Sequence, residues 1–418
     1  MADYNRYAQI AITVGTVNDC SDVWFAERQE NGKTFNKTSV NFVFKTNVYF
    51  LDNLCKQYGI KGVHRICVAK NLCKMFSQSA LSLLCTFVLI HFTRITLSGD
   101  PMCNDETAGK EKDWVLIYKP ADPKKGQKVN SEATDTWADI DLTADADANL
   151  LRNIFDFVKT GANTIAIAYN GHAPRSPSSL ARQSKSSGLL AYADKDAIFL
   201  THTMPQWPDF YLADKAALLK DLESNKKCAL FLCLSLSKDK LSEWAEGMAY
   251  EVPNIYYSQN IDKATGTLKE LAEGTVRTTR VAKYNAFTTS GKVPTEFRTF
   301  SLMSGLDLYS SLMTIALQSN LTMWNIAGLP SDVIKKTCNT HLKVQYVNAT
   351  DFQVNTQQIT RTSDNTIWMY SSKGKWVCFS SSPRQVSQRT VPRGAVCLKN
   401  DKVYQHFKGF VKKIDRCP

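Results

Sequence analysis

The feature that most constrains this 418-residue chain is its one conspicuous apolar run, Ala80 to Ile90, reading ALSLLCTFVLI. Its eleven residues fall short of the ~20 apolar residues that a helix needs to cross a bilayer. His91 and Arg94 close it off, so a multi-span membrane protein is excluded. Lys70 and Lys74 precede the run and Leu97-Ser98-Gly99 follows it. A basic flank, an apolar centre and small residues at the end make the layout of a secretory signal. Signals sit at chain starts, and Met75 stands just before this one. Residues 75–99 are therefore expected to form a signal peptide, and residues 1–74 an upstream extension. The rival readings are a signal anchor, which would place the chain on a membrane with residues 1–74 cytoplasmic, and a buried core helix.

The remaining residues, 100–418, must hold the fold. With 44% hydrophobic and 22% charged residues the chain has the apolar material for a core, which excludes wholesale disorder. Lys and Arg number 51 against 39 Asp and Glu, a net charge of +12. Divided at Gly99, the first part carries +5 and the second +7, so the basic excess persists in the expected mature protein. That charge permits DNA or another polyanion as partner without requiring one. The sequence carries no signal of oligomeric state.

Seven cysteines follow the apolar run: Cys103, Cys228, Cys233, Cys338, Cys378, Cys397 and Cys417. None forms a C-x-x-C pair and the His residues are scattered, so zinc-ligand spacing is absent. Four crowd into the C-terminal region, as in a disulfide-stapled module, and the odd count leaves one thiol over. Cys228 and Cys233 are five apart on one expected strand and so face opposite sides. The sequons Asn320-Leu321-Thr322 and Asn348-Ala349-Thr350 add glycosylation sites usable only in a secretory compartment.

Strand-like and helix-like segments alternate along this part. Asp113–Lys119, Thr164–Tyr169, Gly188–Ala193, Ala197–Thr203 and Cys228–Ser235 read as strands. Residues 145–159, Lys215–Asp221 and Lys238–Met248 read as helices. Further on, Leu306–Leu317 reads as a helix, and Leu321–Ile326 and Lys343–Val347 as strands. A hairpin is expected about Ser372-Lys373-Gly374, and an amphipathic helix over Asp401–Lys413. The Lys- and Gly-rich stretch after Pro120 reads as a turn, and the acidic stretch from Glu132 to Asp147 as a solvated loop and helix start. The alternation predicts an α/β fold in two halves of similar size, 100–255 and 256–418.

Several segments carry a family resemblance. Cys103 and Asp113-Trp114-Val115-Leu116-Ile117-Tyr118-Lys119-Pro120 resemble the mature N-terminus of deoxyribonuclease II proteins. Gly188–Asp194 with Phe199–Pro205 is similar to the strand pair after that family's first catalytic motif. Asp307-Leu308-Tyr309 matches a further segment, and Cys378, Cys397 and Cys417 recur at family-like spacing. The likeness is colinear over roughly residues 100–418. It implies a secreted or lysosomal acid endonuclease that needs no metal or other cofactor. It also implies a phospholipase D-like fold of two α/β halves, each bringing a His-x-Lys motif to one active site. One His attacks phosphorus, the other protonates the leaving oxygen, and the Lys pair neutralises the phosphoryl oxygens. The resemblance further implies disulfides Cys378–Cys397 and Cys338–Cys417, and one from Cys103 to Cys233 or Cys228.

This chain departs from the pattern at both motifs. The first His falls at Lys185 and its Lys at Ser187; a two-residue slip, to Gln183-Ser184-Lys185, still supplies no His. The second His falls at Asn365 and its Lys at Ile367. An amide is no useful proton donor and an alkyl chain cannot neutralise phosphate, so a catalytically inactive member is expected. His202 is a candidate substitute nucleophile and Lys185 a further substitute residue; a structural role for His202 is the stronger reading. His172 reads as a turn residue, and His341 and His406 as structural. Arg175, Arg182 and Lys185, set among serines, are candidate DNA-phosphate contacts, weighed equally against a solvated polar loop. Two rivals remain: an active acid nuclease using His202 and Lys185, and a secreted interaction protein without nucleic-acid function.

Overall fold

The structure, a computed structural model, describes Ile10–Ala11, Ala26–Glu27, Cys103–Asn104 and residues 111–418 apart from 123, 145–148, 178–182, 279–280, 327 and 339–340. The apolar run of the expected signal and nearly all of the expected extension lie outside the described residues. The chain divides into two units, Met1–Leu97 and Ser98–Pro418. In the first, β1 (Ile10–Ala11) pairs antiparallel with β2 (Ala26–Glu27). No described helix is long and apolar enough to cross a membrane.

The second unit opens with a short antiparallel pair, β3 (Cys103–Asn104) and β4 (Glu111–Lys112). Next come β5 (Trp114–Lys119), β6 (Lys125–Asn130), β7 (Ala133–Asp141), α1 (Leu150–Thr160) and β8 (Ile165–Asn170). After these run β9 (Ser187–Ala193), β10 (Asp196–His202), α2 (Lys215–Asp221), β11 (Ala229–Ser237), α3 (Lys238–Met248) and β12 (Ile255–Gln259). These strands build one eight-stranded sheet ordered β12-β8-β9-β10-β11-β5-β6-β7. The helices start where side chains cap them: Asn149 accepts from two backbone N–H groups of α1, Asp214 from α2 and Ser237 from α3.

After α4 (Thr267–Ala272) come β13 (Ala282–Thr288), β14 (Glu296–Leu302), and a π-helical turn, Leu308–Met313, running into α5 (Thr314–Leu317). The chain continues through β15 (Leu321–Trp324), β16 (Val344–Val347), the hairpin β17 (Asp351–Val354) with β18 (Gln357–Thr360), then β19 (Ile367–Ser371) and β20 (Trp376–Ser380). It ends with β21 (Arg393–Lys399), α6 (Asp401–Gly409) and β22 (Ile414–Asp415). The second sheet is ordered β13-β14-β21-β20-β19-β15-β16-β22.

Read from opposite ends, the two sheets match. The antiparallel run β8-β9-β10-β11-β5 corresponds to β15-β19-β20-β21-β14, which is also antiparallel throughout. The match ends at the next strand: β12 joins β8 antiparallel, whereas β16 joins β15 parallel. The unit is thus α/β, with two pseudo-symmetric halves. Strand alternation divides each sheet's side chains between two faces. Leu116, Tyr118, Leu190 and Phe199 of the first sheet meet Trp324, Trp368 and Phe379 of the second in one shared apolar layer. Each sheet's other face has a layer of its own, Val115, Ile117 and Leu189 packing under α1 and α2, and Phe300, Ile367 and Met369 under the π-helical turn.

Three disulfides staple the unit: Cys103–Cys233, Cys338–Cys417 and Cys378–Cys397. Cys233 is the partner of Cys103, and Cys228 stays a buried free thiol. Strand alternation on β11 explains the choice. Cys233 lies in the outer layer with Cys103, whereas Cys228 lies in the shared one.

Two expectations require correction. The acidic stretch is not a loop: Ala133–Asp141 is strand β7, and the turn after Pro120 contains strand β6. β7 is an edge strand with mostly exposed acidic and threonine side chains, so its composition looks solvated although its backbone is paired. Trp137 anchors it, its ring stacking on Phe410 just beyond α6. The expected helix over Leu306–Leu317 is mostly π-helical, begun by Asp307 accepting from Tyr309 N.

Candidate active site at the seam of the two halves

The first motif segment, Lys185-Ser186-Ser187, lies where the chain enters β9. Its path is set by small neighbours. A Cβ on Gly188 would stand 2.3 Å from the Leu200 carbonyl oxygen, and one on Gly171 2.5 Å from Lys185 Cα. Ser187 donates to Asn170 Oδ1 at 3.1 Å. Lys185 is half-buried, and that burial lowers its pKa. Ser186 turns toward the seam and donates to Glu251 Oε2 at 2.5 Å. Ser301, from the other half, donates to Glu251 Oε1 at 2.7 Å. Glu251 is 5% exposed, and burial pushes its pKa up to about 7 against the pull of those two bonds. It lines a cavity of about 30 Å³ with Tyr169, Ser186, Thr201, Ser380 and Ser381, space for one or two waters.

The second motif segment, Asn365-Thr366-Ile367, enters β19 in the matching place. Ile367 is 1% exposed and packs in the outer layer with Phe300, Tyr309 and Met369. Asn365 N donates to Cys228 O at 3.4 Å. Asp364, just before it, is 2% exposed. Its Oδ2 accepts from Tyr118 of the first half at 2.6 Å, from Trp324 Nε1 at 2.8 Å and from Thr366 Oγ1 at 2.9 Å. Its Oδ1 accepts from Thr366 N at 2.8 Å. Burial raises its pKa to about 6, and these four bonds oppose the rise. Both motif segments therefore lie on the seam, and each is tied across it through a buried carboxylate.

The other candidates are placed as follows. His202 ends β10, one residue beyond Thr201, and faces the opposite layer among Trp207 and Phe231. It is 2% exposed, accepts from Met204 N at Nδ1, and is lowered by burial to a pKa of about 3, so it is neutral at pH 5. His172 lies in the turn after β8, its Nε2 3.2 Å from Ser176 O. His406 Nε2 lies 2.8 Å from Thr134 O, and His341 is exposed. Arg175 is exposed, ion-paired with Asp209 at 2.6 Å and set over the Tyr211 ring. Arg182 lies outside the described residues. Asn348 is exposed, whereas Asn320 is half-buried, with Oδ1 accepting from Lys343 N at 2.8 Å.

Sequence reasoning missed Glu251. A lone Glu after a helix carries no local signal of burial, and only the meeting of Ser186 and Ser301 gives it a place. Asp364 was legible as a motif flank but not as a link between the halves.

Two phospholipase D-like halves with a motif segment at matching strand entries define the class of the protein. The Deoxyribonuclease II family model matches residues 102–417, and the chain belongs to that family. Plancitoxin-1 of Acanthaster planci is 24% identical over 338 residues, covering 75% of this chain and 91% of that protein. Cell-death-related nuclease 7 of Caenorhabditis elegans is 21% identical, covering 79% of this chain and 92% of its own. Deoxyribonuclease-2-beta of Mus musculus is likewise 21% identical, at 79% and 97%.

Proposed function

We propose that this chain is an exported deoxyribonuclease II family protein that keeps the family's frame without its cutting chemistry, and that it binds DNA or another polyanion. Family membership supports the nuclease-like frame. The observation that carries the inactive reading is the pair of replaced motifs. Lys185 and Ser187 stand at one His-x-Lys site, and Asn365 and Ile367 at the other. Phosphodiester transfer through histidine needs an imidazole nucleophile and a second imidazole as acid. None of these four side chains supplies either. Ile367 sits in a packed apolar layer, where an alkyl chain is at home and an ammonium is not. Export rests on the signal-like run, the three disulfides and the exposed sequon at Asn348.

The alternative, an active acid nuclease using His202 and Lys185, would require His202 to leave its buried place between Trp207 and Phe231. A plasmid-nicking assay at pH 5 in EDTA separates the two. No turnover above a mock preparation is expected, and turnover lost on Lys185→Ala would overturn the inactive reading. Binding of a labelled duplex at low and at raised salt tests the polyanion part. Affinity should fall steeply with salt, because each neutralised phosphate releases counterions. Absent binding at low salt would leave an interaction protein without nucleic-acid function.

A further inference from the structure

Arg393 opens β21 and is 1% exposed. Its Nε donates to Val391 O at 3.2 Å. Its two terminal nitrogens, Nη1 and Nη2, are buried without a hydrogen-bond acceptor among the described residues. Ser382, just past the end of the neighbouring strand β20, has a buried hydroxyl that likewise lacks a partner. Tyr309 joins the two: its hydroxyl donates to Ser382 O and to Ser380 Oγ, and it interacts electrostatically with Arg393.

The charge count around this point is unbalanced. Among the described residues, Asp307 is the one carboxylate that acts on Arg393. Its Oδ2 is already taken by Arg384 Nε at 2.8 Å, Arg384 Nη2 at 2.6 Å and Ser310, and its Oδ1 by Tyr309 N. Arg384 spends its remaining donors on Lys335 O, Tyr346 and Thr337. Arg389 adds a further positive charge that acts on Arg393, and it is exposed. Arg384 and Arg393 thus share one carboxylate, whose hydrogen bonds go to Arg384, Ser310 and Tyr309 N and none to Arg393. A buried cation whose nearest carboxylate is bound to another guanidinium is strongly disfavoured. A water can accept the orphan hydrogen bonds, but it leaves that charge uncompensated.

We infer that Arg393, Ser382 and the flanking Arg389 form a binding site for a small monovalent anion of the chloride class, beneath the π-helical turn. Buried N–H donors with one hydroxyl suit a spherical anion. A tetrahedral oxyanion would also suit the guanidinium fork, but its size disfavours it where Arg393 is only 1% exposed. The site lies on the outer face of the second sheet, the face that holds Ile367, and is separate from the cavity beside Glu251.

Thermal unfolding of the disulfide-intact chain, titrated with sodium chloride against sodium gluconate at fixed ionic strength, tests the site. A ligand of the native state raises the midpoint by mass action, here by about 3 °C over a hundredfold span of chloride. Arg393→Met should abolish the chloride dependence and Ser382→Ala should weaken it several-fold. Where Arg393→Met does not fold, anomalous scattering from bromide-soaked crystals of the unaltered protein decides. A bromide peak at the Arg393 guanidinium supports the site. Coincident chloride and gluconate curves, a response to phosphate in place of chloride, or water density alone at Arg393 would overturn it.

Discussion

Glu251 and Asp364 play matching parts at the seam although they come from different places in the two halves, Glu251 from the turn after α3 and Asp364 from just before β19. Each is a buried carboxylate that accepts a hydroxyl from the middle residue of a motif segment, Ser186 or Thr366. Each also accepts one from the opposite half, Ser301 or Tyr118. The segments Lys185-Ser186-Ser187 and Asn365-Thr366-Ile367 are therefore both fastened to the seam by polar links.

These carboxylates make stability depend on pH. Burial raises Glu251 from 4.5 to about 7 and Asp364 from 3.8 to about 6. A raised carboxyl pKa means that the native state binds protons more tightly than the unfolded one. The contribution is fully present below about pH 4 and is lost as pH rises through 6 and 7. Each group thus disfavours the fold at neutral pH by roughly 3 kcal/mol at most. Denaturant unfolding between pH 4.5 and 7.5 should show stability falling with pH. Glu251→Gln should flatten part of that slope and stabilise the neutral-pH protein, and an unchanged slope would count against Glu251 as its source.

Rebuilding the second motif should fail for a physical reason. Ile367 is 1% exposed in an apolar layer with Phe300, Tyr309 and Met369. An ammonium introduced by Ile367→Lys is desolvated and gains no partner, at a cost of about 3 kcal/mol or more. Urea unfolding should register that loss. Asn365→His combined with Ile367→Lys should not restore nicking.

Cys228 should be silent toward alkylation in the folded protein. Burial raises its thiol to a pKa of about 11, with the Asp364 carboxylate adding to the rise. The thiolate fraction at pH 7.5 is then on the order of one in a thousand. Mass spectrometry after iodoacetamide treatment should show modification of Cys228 in guanidinium and almost none under native conditions. Rapid native labelling would contradict its buried place.

The disulfides should differ in worth. Cys103–Cys233 closes a separation of 130 residues and Cys378–Cys397 one of 19. Loop entropy assigns them roughly 5 and 3 kcal/mol respectively. Paired Cys→Ala variants compared by denaturant unfolding should rank in that order, and the reverse ranking would show that local packing outweighs chain entropy here.

Much of the frame was legible because its signals are local. The strand pair on either side of Asp194-Lys195 appears with nearly the expected bounds, as do α2 and α3. The hairpin of β19 and β20 also falls where its turn residues put it. Other strands were hidden by composition. β7 is acidic and exposed, β13 is a half-exposed edge, and β21 begins with Arg and Gly although it lies between β14 and β20. β7 and β13 pair with the strands next to them in sequence, but their edge positions leave them without the apolar alternation that marks a strand; β21 pairs with β14, distant in sequence, and no short window records that.

The sequence by itself determined the family frame, which depends on residue identity in colinear segments, and the resemblance to that family implied two of the three disulfide pairings. Tertiary structure decided the partner of Cys103, the burial of Glu251 and Asp364 at the seam, and the unmatched charge of Arg393. Whether an ionisable side chain meets solvent, a hydroxyl or nothing depends on what the other half brings to it. That is a long-range packing outcome, and residue type alone would have placed all three groups on the surface.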